Sequence, residues 1–153
     1  MDINECRYET QKHIEAVRKY IRLFTDKLTT RGVCHDAAKL ESPEVELFAE
    51  YTPRLAEVGY GTPEYYECLK GLKPALDHHY AAYRHHPEHF AGGIDDMNLI
   101  DLAEMFADWK AASERHQDGN LLKSIEINAA RFGISDQLKR ILVNTACLFD
   151  DLR

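Results

Sequence analysis

The sequence lacks the features that mark membrane-spanning and secreted proteins. Its longest uncharged apolar stretch runs from Ile141 to Phe149, which is far shorter than the roughly 20 residues that a bilayer-spanning helix needs. The N-terminus shows no basic start followed by an apolar run and a small-residue cleavage site, the pattern of a secretion signal. We therefore expect a soluble, cytoplasmic protein with no membrane partner.

Basic residues are too few for a protein that binds long nucleic acids. Lysine and arginine total 19 against 26 aspartates and glutamates, which gives a formal net charge of −7. Broad affinity for nucleic acid needs a basic face that neutralises phosphates, so we expect no long nucleic acid as a partner. A few local basic groups could still hold one small phosphorylated ligand.

Cysteine is sparse and shows no metal-binding or redox spacing. The four cysteines contain no C-x-x-C pair, and we interpret them as buried, reduced thiols: Cys6, Cys34, Cys68 and Cys147. The chain has 153 residues, of which 44% are hydrophobic and 29% are charged. This length and composition are typical of one globular domain that forms its core without disulfides.

Strand alternation is absent, and apolar residues recur at helical spacing instead. The first predicted helix has an apolar face that runs from Ile14 to Leu28. Caps, prolines and glycines then predict further helical segments over 33–40, 43–55, 63–74, 75–84 and 98–116. Two more helices follow, one that ends at residue 132 and one over 135–152. Thr30–Gly32 is expected to interrupt the first helix. Pro53 is expected to bend or end the helix over 43–55. The predicted fold class is all-α, with residues 1–153 as a single compact bundle of six to seven helices.

Histidine is the residue type that stands out. The chain has eight histidines, and five of them lie between His78 and His89, a density for which packing gives no reason. His35 and Asp36 form an adjacent pair in an otherwise apolar segment, and burying such a pair is costly unless each side chain finds a partner or a metal. Imidazoles and carboxylates are the usual ligands of zinc, manganese and iron. These segments are therefore candidates for a metal site.

Three carboxylates on a later helix are ambiguous when taken alone. Asp101, Glu104 and Asp108 are spaced so that they form one stripe, which a bound cation would stabilise. A solvated acidic face also explains the stripe, and from the spacing alone we favour it. The apolar positions of this helix form a separate stripe that we expect in the core: Leu99, Leu102, Phe106 and Trp109.

The order of these residues resembles the HD superfamily of metal-dependent phosphohydrolases, whose signature is H…HD…D on an all-helical fold. His13 stands upstream, and HDAAK occupies positions 35–39. MNLIDLAEMFADW, from Met97, is similar to the segment that carries the last metal aspartate in the diadenosine-polyphosphate hydrolase branch. The HHPEHF segment resembles the additional histidines of HD members that bind two metals. It is also similar to a small phage and bacterial family that carries HHPEH followed by EMxxDWKA.

The resemblance implies two divalent cations, drawn from manganese, zinc, iron, cobalt or nickel. It implies these metal ligands: His13, His35, Asp36, His79, His86 and Asp108. Asp36 would bridge the two ions, with His13, His35 and Asp108 at one and His79 and His86 at the other. Alternatives stay open, namely Asp101 in place of Asp108, and His78, His85 or His89 in place of His79 or His86.

The implied reaction is the attack of a metal-activated water on phosphorus. Lys39 resembles the HDxxK lysine that contacts substrate phosphate. Further candidates for holding phosphate are Arg84, Lys110 and Arg115. The candidates for orienting a ligating imidazole or protonating the leaving group are Glu88, Glu104 and His89.

The leading hypothesis is a hydrolase of a small phosphorylated metabolite, with nucleotides as the favoured class. The first alternative is a di-iron oxygenase on the same fold, because histidine-rich ligation also suits iron. The second is a non-catalytic module that binds a metal or sequesters a nucleotide. A homodimer is compatible with all three hypotheses.

Overall fold

The computed structural model describes residues 1–58, 62–115 and 119–152, and only the backbone of residues 150–152. These residues form six α-helices joined by short 3₁₀ helices, and they contain no strand. The α-helices are α1 (Ile3–Cys34), α2 (Glu44–Glu57), α3 (Pro63–Ala82), α4 (Leu99–Ser113), α5 (Leu121–Phe132) and α6 (Asp136–Ala146). The 3₁₀ helices are Ala37–Leu40, Pro87–His89, Gly93–Asp96 and Cys147–Leu152. The all-α prediction is confirmed, and so is the predicted number of helices.

The chain divides into two compact units, Met1–Cys34 and His35–Arg153. The prediction that residues 1–153 form one domain stays a prediction. Helix α1 makes up nearly all of the first unit, and none of its residues is buried. It continues through Thr30, Arg31 and Gly32, so the predicted interruption there is wrong. A glycine inside a helix costs only about 0.5–1 kcal/mol relative to alanine, which the many other turns of this 32-residue helix can offset.

Two helices of the second unit run through an internal proline. Pro53 lies inside α2 and Pro74 lies inside α3. The predicted helix end at Pro74 is therefore wrong, and of the two outcomes expected at Pro53, a bend or an end, the helix does not end there. A proline removes one backbone hydrogen bond, but α2 and α3 pack against each other. The buried face of α3 continues on both sides of Pro74, from Leu72 to Ala75, and this packing offsets the lost bond.

The hydrophobic core of the second unit lies among α4, α5 and α6. Its buried members are Phe106, Leu121, Ile125, Ala129, Ile134, Leu142 and Ala146, and Trp109 packs against them. Leu99 is the first residue of α4 and is 68% exposed, so its predicted place in the core is wrong. Asp101 and Glu104 are buried instead, which overturns the solvated acidic face for these two carboxylates.

Local sequence signals fix several helix ends as predicted. The Thr62 hydroxyl accepts the Tyr65 amide at the start of α3, and the Ser135 hydroxyl accepts the Leu138 amide at the start of α6. Gly133 follows α5 with a φ of 64°, a left-handed conformation that glycine adopts without steric cost. The glycine-containing stretch 59–61, which we interpret as a turn between two predicted helices, and the predicted helix end at His116 lie outside the described residues.

The four cysteines are free, as predicted, but only Cys68 is buried. The expectation of buried thiols is therefore wrong for the other three. No α-helix among the described residues is both long enough and apolar enough to cross a membrane.

Candidate metal centre

The centre begins at the HD pair, where the backbone makes a sharp turn. Asp36 has a φ of 54° and a ψ of 16°, and it precedes the 3₁₀ helix Ala37–Leu40. The left-handed conformation costs a non-glycine residue roughly 1–2 kcal/mol, although aspartate tolerates it better than most. Such local strain is concentrated at functional sites. The turn places the carboxylate of Asp36 against the histidines that follow α3.

The histidine cluster lies at the end of α3 and in the segment after it. His79 is in the last turn of α3, and His85 and His86 come just before Pro87. His79 and His85 are each only 1% exposed, and His86 is half-buried. The Nε2 atoms of His79 and His86 face each other at 2.9 Å.

Four of these side chains form a nitrogen-rich group: Asp36, His79, His85 and His86. One ligand atom from each lies within 4.8 Å of the others. Asp36 Oδ1 is 3.2 Å from His79 Nε2 and 3.4 Å from His85 Nε2. Three imidazoles and one carboxylate form a donor set that suits zinc, iron, cobalt or manganese.

A second, oxygen-rich group consists of His35, Asp36 and Asp108. His35 Nε2 is 3.6 Å from Asp108 Oδ1 and 3.7 Å from Asp36 Oδ2. The two groups share Asp36, which offers Oδ1 to the nitrogen-rich group and Oδ2 to the oxygen-rich group. The oxygen-rich side chains are 19–28% exposed, so this group lies closer to solvent than His79 and His85.

Glu104 forms a third group of potential metal ligands together with His35 and His85. Its Oε1 is 3.0 Å from His35 Nδ1 and 3.1 Å from His85 Nδ1. The Nε2 atoms of the same rings face Asp36, and that of His35 also faces Asp108. Because metal-binding histidines usually present their second nitrogen to a carboxylate, Glu104 is better placed to support the two groups than to form a separate site.

Glu44 is a buried carboxylate that the sequence analysis did not associate with the site. It lies in the first turn of α2 and is 0% exposed. His78 Nδ1 is 2.7 Å from its Oε1, and His79 Nδ1 is 2.9 Å from its Oε2. An acidic residue in the first turn of a helix is ordinary, so the sequence contained no signal that distinguished Glu44.

Several polar atoms of the nitrogen-rich group are buried without a hydrogen bond. Asp36 Oδ1 and both ring nitrogens of His85 have no hydrogen-bond partner among the described residues. Their neighbours lie within ion-pair distance, but the directions do not allow hydrogen bonds. A buried polar group left in this way costs roughly 1–3 kcal/mol. A divalent cation would satisfy Asp36 Oδ1 and His85 Nε2 together, which lie 3.4 Å apart, so the donor set fits a metal.

The carboxylates of the centre are held in the anionic state that metal binding needs. Burial by itself would raise the pKa of Asp36, but nearby His79, His85 and Lys39 hold it well below its usual range. Burial likewise opposes ionisation of Asp108, and His35 lowers its pKa. Both groups are therefore ionised at neutral pH.

The imidazoles are perturbed in opposite directions. The Asp108 carboxylate raises the pKa of His35 to about 9, against burial and with further help from Glu104 and Asp36. Burial, together with the neighbouring imidazoles His85 and His79, lowers the pKa of His86 to about 3. His86 is thus neutral and ready to bind a metal at pH 7, whereas His35 must first lose a proton.

The structure brings together five of the six predicted ligands. His35, Asp36, His79, His86 and Asp108 belong to the two groups, and His85 joins them as one of the open alternatives. The sixth, His13, lies in α1, about 30 Å along the helix from Cys34 at 1.5 Å per residue, and it belongs to none of the groups. The assignment of His13 as a ligand stays a prediction.

Other candidates have different partners. Arg84 forms a two-point ion pair with the buried Asp101, at 2.9 and 3.1 Å, and Asp101 is in none of the groups. His89 donates from Nδ1 to the backbone carbonyl of Tyr80. Glu88 pairs with Arg131 at 2.8 Å. Their predicted contacts with substrate or ligand stay predictions.

The three other basic residues that were predicted to hold phosphate differ in their solvent exposure and in their partners. Lys39 Nζ is 2.7 Å from Asp36 Oδ2, directly beside the oxygen-rich group. Lys110 is largely buried and pairs with Glu114 at 2.8 Å, and Arg115 is exposed. Lys39 is therefore the predicted phosphate-binding residue that directly contacts a member of the two groups.

The comparisons with known proteins give a family but no activity. No curated protein and no solved structure matches the chain. The model of the DUF5662 family, described as a family of unknown function, matches residues 2–148. The chain therefore belongs to the DUF5662 family.

Proposed function

We propose that this protein is a metal-dependent phosphohydrolase of the HD type that acts on a small phosphorylated metabolite, with nucleotides as the favoured class. The observation that carries the proposal is the shared carboxylate. Asp36 belongs to both the nitrogen-rich and the oxygen-rich group, and its Oδ1 is buried without a hydrogen bond. A carboxylate between two donor sets is the arrangement that a two-metal hydrolytic site needs.

The resident groups would be two divalent cations. The nitrogen-rich group would hold one, and the oxygen-rich group would hold the other, with Asp36 common to both. When bound, they would supply Lewis-acid stabilisation of charge on the phosphoryl oxygens and lower the pKa of water.

The chain's own residues provide positioning and charge. Glu104 accepts the Nδ1 proton of His35, and its Oε1 also lies 3.1 Å from Nδ1 of His85. Nε2 of both rings faces Asp36. Lys39 supplies a positive charge at the half-exposed side of the centre. Phosphate oxygens would bind there through the ammonium group, and Lys39 would then exchange its contact with Asp36 for one with substrate.

The overall charge of the chain favours a small substrate over a long polyanion. A net charge of −7 repels extended nucleic acids. One lysine beside the centre is enough to orient a single phosphate group.

The proposal is tested by activity after controlled metal loading. Chelator-stripped protein would be reloaded with manganese, cobalt or zinc and incubated with a panel of nucleotides and phosphate monoesters, with phosphate release as the readout. We expect metal-dependent hydrolysis of at least one compound, lost in Asp36→Asn and retained in the exposed Asp95→Asn control. Tight nucleotide binding by the loaded protein without turnover would instead favour a sequestering module.

The oxygenase remains a second candidate because of the nitrogen-rich group. Three imidazoles and a carboxylate suit iron as well as manganese. Two equivalents of iron with visible absorbance in the purified protein, and no phosphate release with any metal, would replace the hydrolase with the oxygenase.

A further inference from the structure

Glu44 makes a contact that its place in the fold does not require. It is fully buried, and its two carboxylate oxygens accept hydrogen bonds from two consecutive histidines, His78 at 2.7 Å and His79 at 2.9 Å. Burying a charged carboxylate is costly unless it is paired and hydrogen-bonded. A carboxylate in the first turn of a helix interacts favourably with the helix dipole without being buried, and Glu46 on the same turn is exposed.

The hydrogen bonds of Glu44 determine which nitrogen of His79 faces the centre. An ionised carboxylate only accepts, so Nδ1 of His79 must carry the proton that it donates. In the neutral ring, Nε2 is then left with a free lone pair. That atom lies 3.2 Å from Asp36 Oδ1 and 2.9 Å from His86 Nε2, where a cation would satisfy all three acceptors.

We propose that Glu44 is a positioning residue of the metal centre, which holds His79 in the orientation and tautomer that binds the metal of the nitrogen-rich group. The inference rests on the proposed metal centre and goes beyond it by assigning a specific role to a residue outside both donor sets. Carboxylates hydrogen-bonded to metal histidines also raise the basicity of the ligand. His78 accounts for the second carboxylate oxygen of Glu44, and with an exposed ring it belongs to neither group.

Glu44 and Glu104 contact different sets of histidines, so the loss of Glu44 should affect only one of the two metal-binding groups. Glu104 lies against His35 and His85, which belong to different groups. Glu44 lies against His79 alone among the members of either group. Removing the hydrogen bond between Glu44 and His79 should therefore lower metal affinity at the nitrogen-rich group and leave the affinity of the oxygen-rich group unchanged. A merely structural role in packing α2 would not discriminate between them.

Two substitutions separate the hydrogen bond from packing. Glu44→Ala removes both bonds, and we expect about 10–100-fold weaker binding at the nitrogen-rich group. Glu44→Gln keeps the shape but offers one accepting oxygen and one donating nitrogen. Because the exposed His78 can turn away, the amide oxygen can still face His79, so we expect a smaller loss that reflects the missing charge. Glu46→Gln is the matched control and should bind like the wild type.

The experiment is a titration of chelator-stripped protein with cobalt, followed by visible absorbance and calorimetry, with circular dichroism to verify the fold. Two binding steps in the wild type, with only one of them weakened in Glu44→Ala and less so in Glu44→Gln, would support the inference. Two steps of wild-type affinity in both variants would overturn it and leave the metal centre intact. A wild type that binds no cobalt would overturn the metal centre as well. If Glu44→Ala does not fold, the nearly isosteric Glu44→Gln decides.

Discussion

Replacing Asp36 with asparagine should abolish binding of both metals and leave the helices intact. Asp36 is the member that the two donor groups share. Asparagine has nearly the same size and tolerates the left-handed conformation that Asp36 adopts at a φ of 54°. The substitution therefore removes the charge and the second carboxylate oxygen without a new demand on the backbone.

The expected loss can be bounded from the geometry. Removing a carboxylate that only supports a ligand costs about 10–100-fold in metal affinity. Asp36 is itself placed to bind, with Oδ1 among the nitrogen-rich ligands and Oδ2 beside His35. The loss should thus exceed roughly 100-fold at each group, or about 2.8 kcal/mol, at 1.4 kcal/mol per tenfold change.

The assay is calorimetric titration of chelator-stripped protein with manganese or cobalt, with circular dichroism as the measure of helix content. Asp95→Asn makes the same chemical change at an exposed carboxylate and should titrate like the wild type. Asp36→Ala should lose the metals too and should in addition lower the free energy of unfolding by up to about 1 kcal/mol, because alanine tolerates the left-handed conformation less well than aspartate. Unchanged metal affinity in Asp36→Asn would show that Asp36 binds neither metal.

Three further predictions follow from other contacts. The metal affinity of the oxygen-rich group, which contains His35, should rise by about tenfold per pH unit between pH 7 and 9. His35 is protonated below its pKa of about 9, and this proton must leave as the metal binds. A weakly buffered titration without proton release would contradict this prediction. Lys39→Ala should keep the metals but raise the KM for a phosphorylated substrate, and unchanged kinetics would remove Lys39 from the site. Arg84→Ala should lower the free energy of unfolding by roughly 2 kcal/mol, since it strips a partner from the buried Asp101; an unchanged denaturant midpoint would show that this ion pair contributes nothing.

The sequence predicted best what depends on neighbouring residues. The hydroxyl caps at Thr62 and Ser135 and the glycine end at Gly133 were all predictable, because each satisfies backbone groups within a few residues. The HD pair and the histidine cluster were also recognisable, since few structural needs place so many imidazoles in one segment. The structure brings Asp36 of the HD pair and three histidines of the cluster together in the nitrogen-rich group.

The sequence could not show which local rules tertiary packing overrides. Pro74 should end a helix by its own chemistry, but the packing of α3 against α2 keeps it inside one. The carboxylates at Asp101 and Glu104 fit a solvated face equally well, and only their partners on distant segments explain their burial. Glu44 was invisible for the same reason, because its two histidines lie 34 and 35 residues away.

The metal content of the purified protein shows whether the two groups that share Asp36 bind two divalent cations. The protein would be prepared without an affinity tag or chelator and measured by elemental analysis. We expect about two equivalents of transition metal per chain, reduced to the level of the blank in Asp36→Asn. No metal in the wild type, even after reconstitution with manganese, zinc, cobalt and iron, would contradict this expectation.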